Sequence, residues 1–348
     1  MPELHSPPPP LRLNLDHAAL AHNWRALNRL SGRARAGAAV KADGYGTGAR
    51  GTVRILAEAG CNDFLVAHWR EAEEIADLVD PATISVLHGP LSAADAAWAK
   101  ATGVRPVINS LAQARLWLQI GGGACDLMID TGINRLGLPL AALGDELIGR
   151  LKVDVLHSHL AAAEEDSPLN EVQRLRWDAA RTAVRHARAS LANSAGIMLG
   201  AAYHGDLTRP GLALYGGVPC EGLAPHIQPV VRPEAAVLQL REIRAGDSVG
   251  YNATFTATGP MRVGVIALGY ADGYLRCWSG AGSVHFGGQR LPVLGRVSMD
   301  MTVIDLANAP DLREGDWVTI DYFLPEAAAA SGLSQYELLT LLGRRFER

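Results

Sequence analysis

The chain has 348 residues, 48% hydrophobic and 20% charged, enough to bury a large core and unlike a disordered or collagen-like polymer. Lys and Arg number 32 against 36 for Asp and Glu, a net charge of −4 with no basic block, which argues against a nucleic-acid partner. No apolar run approaches the roughly 18 residues of a membrane span, and the opening MPELHSPPPPLRLNL lacks the basic and apolar regions of a secretory signal. Cys61, Cys125, Cys220 and Cys277 lie far apart without a CxxC pair, which suits free thiols in a reducing cytoplasm.

After a stiff tail at Pro7–Pro10, LRLNL alternates like a short strand, and Asp16 can cap a helix through AALAHNWRALNRL. A rhythm of short apolar runs and amphipathic stretches follows. The runs are GAAVK (37–41), FLVA (64–67), ISVLHG (84–89), RPVIN (105–109), DLMID (126–130), VDVLHSH (153–159), SLANS (190–194) and GLALYGG (211–217). They are short and continuously apolar, as strands buried on both faces should be. Helical patterns such as WREAEEIADLV, AQARLWLQI and EVQRLRWDAARTAVRHARASL separate most of them. Eight such units predict a TIM-like (β/α)₈ barrel over 12–228. From 229 to 348, strands joined by Gly/Pro/Asp turns predict a mainly antiparallel β domain, with which tail residues 1–11 are assigned. A final helix opens on a capping-box pattern at Ser334–Glu337. The fold class is α/β: a barrel followed by a β domain.

Only three of the basic residues are lysines: Lys41, Lys100 and Lys152. Lys41 ends an apolar run and precedes a turn bearing Gly44, Gly46 and Gly48. The C-terminal ends of barrel strands face the active site, so Lys41 would project there from an apolar floor. Desolvation lowers an amine's proton affinity and makes it a usable nucleophile. A plain strand-end lysine is the competing reading. His157 and His159 share one strand face, but Glu164 and Glu165 read as a solvated helix start, so no metal is expected.

The segment VKADGYGTGA resembles the pyridoxal phosphate (PLP) lysine segment of alanine racemases. Other blocks agree in order: DTGINRLG (130–137), HSHLAAAEE (157–165), ANSAG (192–196), RPGLALYGG (209–217), VGYNATF, GYADGYLR (269–276) and GRVSMDMTVID (295–305). This likeness runs from about residue 12 to the C-terminus. It implies a PLP-dependent alanine racemase with two opposed bases, Lys41 for the D-alanine face and Tyr270 for the other. A free tyrosine titrates near 10, so such a site must lower that value or supply a relay. The resemblance places Arg209 at the pyridine nitrogen, where an ever-charged guanidinium leaves that nitrogen unprotonated and weakens the electron sink. His159 would support Arg209. Tyr45, Asn193, Ser194 and the amides of Gly211 and Leu212 would hold the cofactor, and Arg135 and Met299 the substrate carboxylate, with Asp300 bracing the loop. A two-fold homodimer with shared active sites is also implied, the β domain of one subunit closing the barrel mouth of the other.

Two family features are missing. Met128 stands where many relatives carry a carbamylated lysine that holds the arginine matching Arg135, and Gly343 stands near a phosphate-contacting tyrosine. The alternatives are a broad-specificity racemase acting on serine or lysine, a PLP-carrying homeostasis protein without catalysis, and a metal-assisted aldolase. The homeostasis proteins resemble the barrel alone, so the β domain argues against them. Both D-alanine supply for peptidoglycan and D-alanine breakdown fit the resemblance.

Overall fold

A computed structural model describes residues 7–348, and the expectation for the tail at positions 1–6 lies outside them. The chain divides into two units, His17–Gln228 and a second that joins residues up to Asp16 to Pro229–Arg348.

In the first unit, parallel strands lie in the order His186–Ser190, Lys152–His157, Ala124–Asp130, Arg105–Ile108, Ile84–Val86, Phe64–Val66 and Ala38–Ala39. The strands 64–66, 84–86 and 105–108 are buried at every position, as a sheet covered on both faces requires. An eighth strand, Leu207–Thr208, pairs in parallel with Arg35–Ala36. Its segment closes the ring: Arg35 and Gly37 N–H donate to Asp206 and Thr208, while Asp206 N–H donates to Ala189. Helices between strands start where side chains satisfy their first amides. Ser92 and Asp95 form a capping box on Ala93–Thr102, and Ser110 caps Leu111–Gln119. Helix Pro168–Ala183 starts on proline, is capped by Ser167 and buries Trp177.

Two strand expectations move. SLANS (190–194) is the loop after strand His186–Ser190, and the helix before that strand stops at Ala183. GLALYGG holds a buried 3₁₀ turn, Leu212–Tyr215, with the strand upstream at Leu207–Thr208. A short apolar run fits a buried turn as well as a buried strand, so hydrophobicity alone cannot separate them.

A buried ionic network joins six adjacent strand segments near their starts. Arg105 donates to Asp154 at 2.8 Å and to Asp63 and Ser85 at 3.1 Å. Its Nε lies 3.4 Å from Asp126, and Arg188 bridges Asp63 and Asp154. Asp126 sits where the 124–130 and 152–157 register shifts, and its Oδ1 accepts from Val155 N–H in place of a ladder carbonyl. This end of the strands is opposite Lys41, where polar structure reads as stability.

The second unit is an antiparallel sheet ordered Leu11–Leu15, Val231–Ile243, Met261–Ile266, Thr302–Asp305, Gln289–Leu294, Ser283–Phe286 and Trp317–Ile320. The last strand pairs back onto Val231–Ile243, so the sheet closes on itself. Residues 12–15, assigned to the barrel, form with Leu11 the strand Leu11–Leu15, which pairs with Val231–Ala235. The alternating pattern identified a strand but carried no information about its sheet. The helix Gln335–Thr340 has both capping-box bonds of Ser334 and Glu337, and a second helix, Leu324–Ser331, precedes it. Among the described residues, no helix is long and apolar enough to cross a membrane.

Candidate active site

Lys41 leaves the barrel at the C-terminal end of Ala38–Ala39. Ala39 N–H donates to Pro210 and Val40 N–H to Leu65, so the preceding backbone is tied to both neighbouring segments. The chain then enters a left-handed turn: Ala42, Asp43, Gly44 and Tyr45 have φ of 55, 53, 62 and 54°. That region costs a non-glycine residue roughly 1–2 kcal/mol, and three of these four carry side chains. The surroundings over-determine the turn. Gly44 N–H donates to Val40, Gly46 N–H to Ala42 and Gly48 N–H to Asp43. Asp43 Oδ1 accepts from Ala49 N–H, and the Thr47 hydroxyl donates to Gly44. Glu71, on helix Trp69–Ile75, accepts from Ala42 N–H at 2.8 Å and from Ala67 N–H at 2.6 Å.

Burial, then Arg135, draws the Lys41 amine below the ordinary lysine value; Glu71 opposes this and Arg209 adds to it. An amine so placed gives up its proton more readily than one in water.

Arg209 is buried and donates to Ser190 Oγ and to the carbonyls of Ser158 and Leu191. Burial, opposed by Asp126, brings it down to about 10, so it keeps its charge at neutral pH. His159 is brought down to about 3 by burial and by Arg209, Arg135 and Lys41, and stays neutral. It meets Arg209 as a neighbouring dipole, whereas the bonds just described go to Ser190, Ser158 and Leu191. His157 is fully buried, its Nε2 3.3 Å from Asp126 Oδ2. Burial would raise Asp126, but Arg105 and the His157 bond outweigh it and hold the carboxyl well below its usual range. Among the described residues, no group of three His, Cys, Asp or Glu is placed to hold a metal ion.

Tyr45 stacks on Tyr215 with ring centroids 4.8 Å apart, and burial pushes its hydroxyl up to about 12. A Cβ on Gly211 would lie 2.3 Å from that hydroxyl, so only glycine lets the Tyr45 hydroxyl sit against this backbone. Ser194 Oγ accepts from Gly211 N–H at 3.0 Å and Ala213 N–H at 3.3 Å, at the start of the turn that contains Leu212. Asn193 Oδ1 accepts from Gly196 N–H, which holds the loop that presents Ser194. Arg135 is exposed after strand Ala124–Asp130, where Asp130 Oδ1 accepts from Gly132 and Asn134. Met128 is buried, its Cγ facing Gly137. No carboxylate among the described residues lies within ion-pair distance of Arg135.

Tyr270 and Met299 belong to the β unit. Tyr270 opens a short 3₁₀ turn; its N–H donates to Ser298, and Ala271 N–H donates to Met299. A Cβ on Gly269 would sit 2.2 Å from Met299 O, so the two loops can approach only with glycine there. Asp272, 1% exposed, accepts from Gly269 N–H and pairs with Arg345 Nε at 2.8 Å; Arg345 also donates to Asp300 at 2.8 Å. Gly343 N–H donates to Asp272 O. The Arg276 guanidinium lies 5.3 Å from the Tyr270 ring centre.

Sequence reasoning passed over Glu71, Ser190, Ser158 and Arg345. WREAEE reads as a solvated helix face, and nothing local to it points at Ala42. Arg345 had no signal of its own beyond its nearness to Gly343.

Fold and site together define a parallel barrel that presents a desolvated lysine beside a locked arginine, with an antiparallel unit bearing a pinned tyrosine. Residues 15–219 match the profile "Alanine racemase, N-terminal domain" and residues 230–348 match "Alanine racemase, C-terminal domain". An alanine racemase of Methylobacterium nodulans is 41% identical, over 97% of this chain and 95% of its own. The crystal structure of alanine racemase from Bartonella henselae with covalently bound pyridoxal phosphate has a TM-score of 0.89 at 32% identity, covering 98% of this chain and 99% of that one. The biosynthetic alanine racemase of Pseudomonas aeruginosa gives 0.87 at 35% identity, with 98% and 99% covered. The chain belongs to the alanine racemase family.

Proposed function

We propose that the chain interconverts L- and D-alanine with Lys41 and Tyr270 as bases on opposite faces of pyridoxal phosphate. The observation that carries this reading is the desolvated Lys41 on its tied, left-handed turn, facing Arg135, Arg209 and His159. The barrel residues fit the cofactor. Gly211, lacking a side chain, lets the Tyr45 hydroxyl approach its backbone closely, and Ser194 draws two amides to one point. Ser194, Tyr45 and the amides of Gly211 and Leu212 would hold the phosphate, Asn193 would shape that loop, and Lys41 would anchor the carbonyl carbon. Bound there, the cofactor supplies the electron sink that acidifies the substrate Cα–H.

The chain's own residues do the rest. Arg209, its donors committed to Ser190, Ser158 and Leu191, stays protonated and offers no base to the ring nitrogen. Neutral His159 adds no second positive charge beside it. Lys41 Nζ takes or returns a proton on one face, and its lowered proton affinity brings exchange within reach of neutral pH. Tyr270 Oη serves the other face. Arg135 and Met299 orient the substrate carboxylate. Among the described residues no carboxylate is ion-paired to Arg135, so on this reading the loop after strand Ala124–Asp130 alone sets its position.

The reading further implies a homodimer with shared sites and a cytoplasmic location, which free cysteines suit. The test is direct. Alanine interconversion is assayed by chiral separation, and borohydride reduction with peptide mapping locates the cofactor. Label on Lys41 with racemisation is expected; label on Lys100 or Lys152 overturns the assignment.

A further inference from the structure

Glu71 has no place in the chemistry described above, yet its carboxylate bonds the Lys41 turn from a separate helix. Its side chain is only 12% exposed, although its neighbours Glu73 and Glu74 are exposed. Its two oxygens are spent separately. Oε1 accepts from Ala42 N–H, the first amide after Lys41, and Oε2 accepts from Ala67 N–H, just past strand Phe64–Val66. That strand is the direct parallel neighbour of Ala38–Ala39. One carboxylate therefore staples the mouths of two adjacent strands, and it does so at the first residue with left-handed backbone.

We propose that Glu71 is a positioning residue for Lys41: it clamps the strained turn to the neighbouring strand and brings a negative charge to the turn that carries the lysine amine. The groups facing Lys41 are few. Arg135 follows strand 124–130 and Arg209 follows strand 207–208, both positive; His159 follows strand 152–157 and is neutral. Asp43, on the turn itself, is committed to Ala49 N–H. His68 approaches Glu71 at 3.7 Å from the solvent side. Glu71 thus brings a negative charge that opposes burial and two arginines, which together still draw the amine down. Without it Lys41 would lose its proton too easily to act as an acid on the return step, and the turn would lose its tie to the 64–66 strand.

The inference rests on Lys41 as the reacting amine, but its test does not require racemisation. Full-length chain is stripped of pyridoxal phosphate, with the native spectrum restored on adding it back. Trace acylation with acetic anhydride is then followed by mass spectrometry across pH, and three lysines make the readout simple. In Glu71→Gln the Lys41 midpoint should fall by about one pH unit, a tenfold loss of proton affinity. Lys100, Lys152 and the neighbouring Glu73→Gln control should not move. An unmoved or raised Lys41 midpoint in folded Glu71→Gln overturns the proposal. Should that variant fail to fold, hydrogen exchange in the wild-type chain decides. The Ala42 amide, on an exposed residue, should exchange at least about tenfold slower than its unprotected reference rate. Exchange at the reference rate overturns the clamp. Borohydride label on another lysine would sink the functional reading while leaving the Ala42 result standing.

Discussion

The turns that carry Lys41 and Tyr270 solve one problem in opposite ways. On the proposed reading each must hold a reactive side chain at a fixed place on irregular backbone, and each has a carboxylate accepting from a backbone N–H beside that residue. The Lys41 turn is strained, with four consecutive residues at positive φ. The Tyr270 turn is relaxed 3₁₀, entered through a glycine that lets the 298–299 loop close in. The first is held by backbone and side-chain bonds that converge from several directions; the second by an Arg345–Asp272–Asp300 triad open to solvent at Arg345. A strained turn gives a side chain one direction and no alternative well. A relaxed turn with an ionic brace is cheaper but easier to loosen.

The comparison is broken hardest at the reacting atoms. Lys41→Ala should lose both the cofactor band and turnover, by at least about 10⁴-fold in the alanine assay. Tyr270→Phe should keep the band and lose about 10³-fold, roughly 4 kcal/mol at 1.4 per factor of ten. If the sites are shared between subunits, each mutant homodimer is inactive and subunit exchange restores up to about one site per heterodimer. No recovery after verified exchange means each site is built within one chain.

Loosening the surroundings should do less. Gly211→Ala drives a methyl into the Tyr45 hydroxyl, an overpacking that costs about 1–3 kcal/mol. Spectral titration should show cofactor binding weakened about tenfold or more, while Tyr270-side variants leave it alone.

His159 gives the barrel unit a pH dependence. Its folded value of about 3 lies below the usual 6.5, so only the unfolded chain binds the proton between those values. Stability is then unaffected above pH 6.5 and falls as pH drops toward 3, by at most about 1.4 kcal/mol per unit. His159→Asn should flatten that slope in denaturant titrations; an unchanged slope would assign the acid sensitivity elsewhere. The smallest effect is expected at the brace: Arg345 is half exposed, so Arg345→Gln should cost about 1 kcal/mol or less. A melting shift of more than a few degrees would show that the relaxed turn depends on its triad more than its exposure suggests.

Most barrel strands were legible because continuous apolar runs survive only where both faces are covered. The misreadings lie where that signal is ambiguous. Leu212–Tyr215 is as apolar as a strand yet forms a turn, and Leu11–Leu15 alternates correctly for a sheet it could not name. At the site, Lys41 stood out by rarity and position. Glu71 did not, because its importance lies in reaching an amide 29 residues earlier in the chain. The left-handed run was equally silent, since only one of its four residues is glycine.

The placement of Leu11–Leu15 has a consequence for how the protein is made. Residues 17–228 form a contiguous stretch whose strands pair with sequence neighbours except where Leu207–Thr208 closes on Arg35–Ala36, so most of this unit can assemble as it leaves the ribosome. The β unit cannot. Its first strand is synthesised before the whole 17–228 stretch, yet it pairs with Val231–Ala235, and its outer edge is completed by Glu347 through bonds to Leu11 and Leu13. An amphipathic strand must therefore wait, unpaired, while residues 16–230 are translated. Those long-range closures make the β unit the slower of the two to form. During that interval the waiting segment is a liability for misassembly, since a nascent chain halted before residue 231 would carry a strand whose partner has not been made.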